Sequence, residues 1–140
     1  MRYYLDTNIL VFLLFDKNSD DNLDNNALAI LADYENIFYT SSVTICELFY
    51  LYKSGDFKTS KYKNPAEVFN AIDNIGIEIK SATKEHLRYF SELNAVQGHK
   101  DPNDHMIIAQ SISDKIPIIS SDRKFKLYES QGLQLVFNKR

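Results

Sequence analysis

The chain has 140 residues, 44% apolar and 13% aromatic, the length of one domain with enough apolar surface for a real core, which excludes a disordered protein. Its formal charge of −3 excludes a protein that holds nucleic acid by bulk electrostatics, so chemistry on nucleic acid would need metal ions or a local basic patch. The first residues show no basic n-region or apolar h-region, and no apolar run approaches the roughly 18 residues of a membrane span, so a soluble, cytoplasmic protein is expected. Cys46 is the single cysteine and no Asn-x-Ser/Thr acceptor occurs, so no disulfide framework is expected and Cys46 reads as a small core residue.

In chain order, apolar strand-like runs alternate with helix-like segments, the sequence of a doubly wound α/β domain. A strand at residues 3–6 leads into a helix over 9–15, and an acidic stretch separates this from a helix over 26–34. A strand at 37–40 precedes a helix over 43–53, and a lysine-rich connection leads to a helix over 65–75 and a strand at 77–79. Helices over 84–93 and 102–114 follow, and strands at 117–120 and 133–137 close the chain. Gly55, Pro65, Gly76, Gly98, Pro102, Pro117 and Gly132 fall at or near the breaks. No internal repeat or linker marks a second domain, so residues 1–140 read as a single domain with a central parallel sheet of about five short strands flanked by helices.

Four acids stand where a carboxylate hinders folding and would serve a cation. Asp6 and Asp122 follow the carboxyl ends of two strand-like runs, where ligand sites form in open α/β sheets. Glu47 interrupts the apolar series Val43, Ile45, Cys46, Leu48, Phe49, and Asp104 shares a helical face with Ile107 and Ile108, so both are expected to face inward. Ordinary structural duties compete with this reading. Asp6 and Asp122 can cap the segments after them, and Asp101-Pro102-Asn103-Asp104 supplies an N-cap, a proline at the first helical position and an acid in the first turn. Capping accounts well for Asp101, leaves Asp104 evenly divided, and offers nothing for Glu47.

Other motifs fail on their residues. Asp20-Asp21-Asn22-Leu23-Asp24-Asn25 lacks the glycine and the later glutamate of a Ca²⁺ loop, and reads as a solvated loop entering a helix. Asp6-Thr7-Asn8 resembles a phosphatase start, but Asn8 has no proton to give as a general acid. No glycine-rich nucleotide loop occurs. His86, His99 and His105 lack metal-ligand spacing and read as surface or helix-end histidines.

Taken in order, Tyr4-Leu5-Asp6-Thr7-Asn8, Glu47 within Ser42-Val43-Thr44-Ile45-Cys46-Glu47-Leu48, Asp101-Pro102-Asn103-Asp104-His105-Met106-Ile107-Ile108-Ala109-Gln110, and Ser120-Ser121-Asp122 resemble a PIN domain. The closing Phe125, Tyr128 and Gly132-Leu133 extend the likeness over nearly the whole chain, and it is most similar to the VapC-type ribonuclease toxins of toxin–antitoxin pairs. The resemblance implies an acidic quartet of Asp6, Glu47, Asp104 and Asp122, with Asn8, Ser120 and Asp101 at supporting polar positions. It also implies an RNA substrate, a small antitoxin partner and a homodimer. His105 departs from the arginine usual at its position in this subgroup.

The residue types support matching chemistry. Carboxylates, an amide and hydroxyls are hard oxygen donors, suited to Mg²⁺ or Mn²⁺ rather than zinc. A cation held by them would activate water and neutralise charge on a phosphodiester, so metal-dependent endoribonuclease hydrolysis is expected, with Asp6 and Asp104 as principal ligands. A PIN-like binding module without activity and a doubly wound phosphatase are the alternatives. Lys58, Lys61 and Lys63, with Tyr62, are candidate RNA contacts, although a solvated polar loop explains them equally. Tyr50, Leu51 and Tyr52 add apolar surface beyond what one core consumes, on a part of the fold that in the resembled family serves dimerisation and antitoxin binding.

Overall fold

The computed structural model describes residues 1–16, 21–55 and 61–140. Strands β1 (Arg2–Leu5), β2 (Ile37–Ser41), β3 (Glu78–Lys80), β4 (Ile118–Ser120) and β5 (Leu135–Phe137) form one all-parallel sheet in the order β3-β2-β1-β4-β5. Helices α1 (Thr7–Phe15), α2 (Asn25–Ala32), α3 (Ser42–Ser54), α4 (Pro65–Asn74), α5 (Lys84–Glu92) and α6 (Pro102–Asp114) match the expected segments within two residues at every end, and α6 matches at both. Asp33 ends α2 earlier than the apolar pattern suggested, and Tyr34 is fully exposed.

Alternation within the strands divides the core in two. Tyr3, Leu5 and Ile119 face a cluster with Ile9, Leu10, Leu48 and Ile72, whereas Tyr4 and Ile118 face Ile107, Ile108, Phe125 and Tyr128. This follows from the twofold period of a strand: a parallel sheet with helices on both faces needs apolar side chains on both. Helix α6 is buried continuously from Met106 to Ser111, so it shows no simple polar stripe.

Two features differ from the sequence expectations. Residues Arg123–Gln131 form a 3₁₀ helix, capped by Asp122 and ended by Gly132 at φ 104°, a left-handed backbone that glycine adopts freely. It buries only Phe125 and Tyr128 in nine residues, a pattern too sparse to stand out by periodicity. Cys46, expected in the core, is exposed. Thr44, Ile45 and Leu48 are the residues of α3 that face inward, and Cys46 lies one helical step from Ile45, on the outer side.

The strand order fixes where a site can form. From β1 the chain steps one way to β2 and β3, and later the other way to β4 and β5, so the connections diverge at the carboxyl ends of β1 and β4. Leu5 pairs with Ile119, and the Asp6 amide donates to Ile119 O at 3.0 Å, which brings Asp6 beside Ser120 at that crevice. No helix among the described residues is long and apolar enough to cross a membrane.

Candidate metal centre

Asp6, Glu47, Asp104 and Asp122, which come from four separated parts of the chain, line one pocket of about 330 Å³, together with Asp101 and Asn8. Asp6 ends β1 and caps α1, accepting from Thr7 N at 2.8 Å. Its second oxygen accepts from Ser120 Oγ at 2.6 Å and from Asn8 Nδ2 at 3.1 Å. Ser120 Oγ in turn accepts from Asp122 N at 3.0 Å, and Asn8 Oδ1 accepts from Ser121 N at 3.1 Å. The ends of β1 and β4 are thus stitched together by the supporting residues, with Asn8 bonded through both its amide nitrogen and its amide oxygen.

The far wall comes from α3 and α6. Asp101 caps α6 through Asn103 N at 2.9 Å and Asp104 N at 3.4 Å, ahead of Pro102. Asn103 Nδ2 reaches Glu47 Oε2 at 3.4 Å across the two helices. Glu47, Asp101 and Asp104 each bring a carboxylate oxygen within 4.8 Å of the others, a group able to hold a metal ion. Asp101 therefore does two things: it caps the helix, as its local sequence suggests, and it belongs to the acidic cluster.

Burial and repulsion from neighbouring acids leave Asp6 and Asp104 reluctant to ionise. The carboxyl of Asp6 is pushed up to about 7, first by burial, then by the charges of Asp104 and Glu47, against the pull of the Ser120 and Thr7 hydrogen bonds. Asp104 is likewise raised to about 7, by burial and by Asp101, Asp122 and Glu47, with Lys124 opposing. The Thr7 hydroxyl, also in this wall, is buried with no hydrogen-bond partner among the described residues. An oxygen-lined pocket that is short of positive charge and holds an orphan hydroxyl fits a hard divalent cation and its water.

The histidines depart from expectation in one case. His86 is a helix-end residue, closing a capping box with Thr83 at the start of α5, and His105 lies in the first turn of α6. His99, read as a surface or helix-end residue, is instead buried, with Nε2 at 3.0 Å from Asp104 Oδ2 and Nδ1 at 2.7 Å from the Tyr128 hydroxyl. Nothing local in Gly98-His99-Lys100 signals this, because the partner ring comes from the 3₁₀ helix.

Of the candidate RNA contacts, Lys58 lies outside the described residues. The Tyr62 hydroxyl donates to Leu14 O at 2.8 Å and its ring packs edge-on against Phe15, so it is committed to the fold, while Lys61 and Lys63 are exposed away from the acid pocket. A basic groove of about 550 Å³ lies elsewhere, lined by Arg123, Lys124, Lys139 and Arg140 and sharing Asn8, Asp122 and Arg140 with the acid pocket. Buried Asn138 anchors its edge, donating to Asn22 O and Ser121 Oγ at 2.7 Å each and accepting from Asp24 N at 2.7 Å. On another face, an apolar groove of about 840 Å³ runs between α3 and α4 past Ile45, Cys46, Phe49, Tyr50 and Phe69.

The family model of the PIN domain matches residues 3–130. The fold is similar to that of VapBC2 from Rickettsia felis bound to a DNA fragment from their promoter, with TM-score 0.68 and 23% identity over 99% of this chain and 100% of that one. It is similar also to DNA-bound VapBC from Salmonella typhimurium, with TM-score 0.67 and 17% identity over 98% of each chain. A third, VapBC-5 of Mycobacterium tuberculosis, a member of a family of toxin-antitoxin systems, gives TM-score 0.60 and 19% identity over 97% of this chain and 98% of that one. Among curated proteins none matches the sequence.

Proposed function

The chain belongs to the PIN domain family, and on that premise we propose that it is a divalent-metal-dependent endoribonuclease, the VapC-type toxin of a toxin–antitoxin pair. One observation carries the reading: acids from the ends of β1 and β4 and from α3 and α6 converge on one pocket in which two of them resist ionisation. An arrangement so unfavourable to itself is relieved by a cation. Asp6 and Asp104 are the principal ligands, Glu47, Asp101 and Asp122 complete the acidic lining, and Asn8 and Ser120 hold Asp6 in place. Bound Mg²⁺ or Mn²⁺ would lower the pKa of a water and offset charge gathering on a phosphodiester.

The basic groove offers a route for the substrate. Net charge is −3, yet four cations flank one groove that opens on Asp122, so phosphates can be drawn along it while the acids keep the backbone away from the pocket except where a metal ion sits. The fold neighbours are toxin–antitoxin complexes, which supports a small antitoxin as partner. The apolar groove between α3 and α4, with Tyr50 76% exposed, is the surface best suited to that partner or to a second copy of this chain.

The decisive experiment is cleavage of a panel of single-stranded and looped RNAs by purified protein. Activity should vanish in excess EDTA, return with Mg²⁺ or Mn²⁺, and be absent from Asp6→Asn and Asp104→Asn. Equal cleavage with and without chelator would overturn the metal mechanism.

A further inference from the structure

Asp104 is backed by a chain of buried polar groups that starts at His99. His99 is 3% exposed, and its Nε2 lies 3.0 Å from Asp104 Oδ2. Its other nitrogen, Nδ1, lies 2.7 Å from the hydroxyl of Tyr128, which is fully buried. That hydroxyl accepts from Val96 N at 3.0 Å, and His105 packs its ring edge-on against His99 with centroids 4.7 Å apart.

Proton bookkeeping gives the chain a direction. In the ionised form that would hold a cation Asp104 only accepts, so the nitrogen at 3.0 Å from it must then carry the hydrogen. A neutral imidazole protonated at Nε2 is an acceptor at Nδ1, so Tyr128 is the donor there, and its oxygen takes the Val96 amide and, at 3.2 Å, a hydrogen on His105 Nε2. Asp101, Asp122 and Glu47 line the same pocket as Asp104, and His99 is the fixed donor beside its Oδ2.

We propose that His99 is a positioning residue for Asp104: its Nε2–H pins Oδ2, leaving the other oxygen to face the acid pocket, and the Tyr128 hydroxyl fixes the tautomer that makes this bond available. Outer hydrogen-bond partners orient metal ligands in this way, and removing such a partner weakens metal binding roughly 10- to 100-fold. The inference rests on the reading of Asp104 as a ligand. It explains why a histidine should be buried at the edge of an acidic pocket, where a leucine would fill the space without hydrogen-bond demands.

The test is calorimetric Mn²⁺ binding to folded protein, which reads the site without turnover. His99→Leu should lower Mn²⁺ affinity roughly 10- to 100-fold. His99→Gln, whose amide nitrogen can stand where Nε2 stood, should recover most of it, and His99→Asn, which is too short to reach Asp104, should not. Tyr128→Phe should fall between, because the ring survives while the tautomer is no longer fixed. A folded His99→Leu variant that binds Mn²⁺ like the parent overturns the proposal. Should His99→Leu fail to fold, equal affinity of the Gln and Asn variants overturns it as well. A parent that binds no Mn²⁺ removes the ligand reading and this inference together, whereas a binding parent with indifferent variants removes only the role of His99.

Discussion

Replacing Asp104 by Asn should make the metal-free protein more stable, and the gain should depend on pH. In the parent, the Asp104 carboxyl is raised from 3.8 to about 7, so the folded state retains a proton that the unfolded chain has already released. The sign follows: this group favours folding fully only below its unfolded value of 3.8, and that stability is lost as pH rises through 7. A displacement of about three units corresponds to roughly 4 kcal/mol at pH 8. The side chain is 16% exposed, so solvent screens little of it. Asparagine carries no charge at any pH and can still accept the His99 hydrogen bond, so the variant escapes the cost without losing its partner. At roughly 3–5 °C per kcal/mol for a chain of this size, the variant should melt about 12–20 °C above the parent near pH 8, with the gap closing as pH falls toward 3.8. Mg²⁺ should stabilise the parent by about 2.7 kcal/mol at a hundredfold excess over Kd and do far less for the variant. The assay is differential scanning calorimetry of both proteins across pH, with and without Mg²⁺. A variant that melts below the parent by the same margin at both ends of the range, with Mg²⁺ shifting neither, would show that the carboxylate serves the scaffold.

Four further outcomes are expected. Asp101→Asn should cost less than about 1 kcal/mol in urea denaturation, because asparagine caps almost as well as aspartate, and should weaken Mn²⁺ binding less than Asp104→Asn does. Neutralising Arg123 and Lys124 together, both to Gln, should reduce the salt dependence of single-stranded RNA binding by about 0.7 in logarithmic slope per lost phosphate contact, whereas Lys61→Gln with Lys63→Gln should leave it unchanged in fluorescence anisotropy titrations. Tyr4→Phe should cost roughly 1–3 kcal/mol, since it strips Asp114 of a half-buried hydrogen bond and Gln110 of one of its two acceptors, with Mn²⁺ affinity retained in calorimetry. Leu48→Ala, at a fully buried position under the sheet, should cost about 2–5 kcal/mol by the same urea assay.

Much of the fold is written in local pattern. Strand runs and helical periods, with Gly55, Pro65 and Pro102 at their ends, locate the main elements because each reports the side of its own backbone that meets apolar surroundings. The positions of the acids relative to those elements were equally legible: Asp6 and Asp122 follow strands, Glu47 intrudes on an apolar helix, and Asp101 precedes Pro102. The 3₁₀ helix was missed, since two buried side chains in nine residues impose no period.

By itself, then, the sequence determined which segments are strands and helices and which carboxylates sit at their ends, because propensity, capping and periodicity act over a few neighbouring residues. Tertiary structure alone decided what those ends meet. Asp101 looks like a cap until α3 brings Glu47 to it, and Cys46 looks buried until the rotation of α3 turns it outward. The basic groove exists because Asn138 ties the end of β5 to the loop before α2, placing Lys139 and Arg140 beside Arg123 and Lys124. His99 acquires its partner only because Tyr128, 29 positions away, packs beneath it. Burial of a polar side chain is tolerated when a partner satisfies it, and here the partner arrives by long-range packing, which no local pattern records.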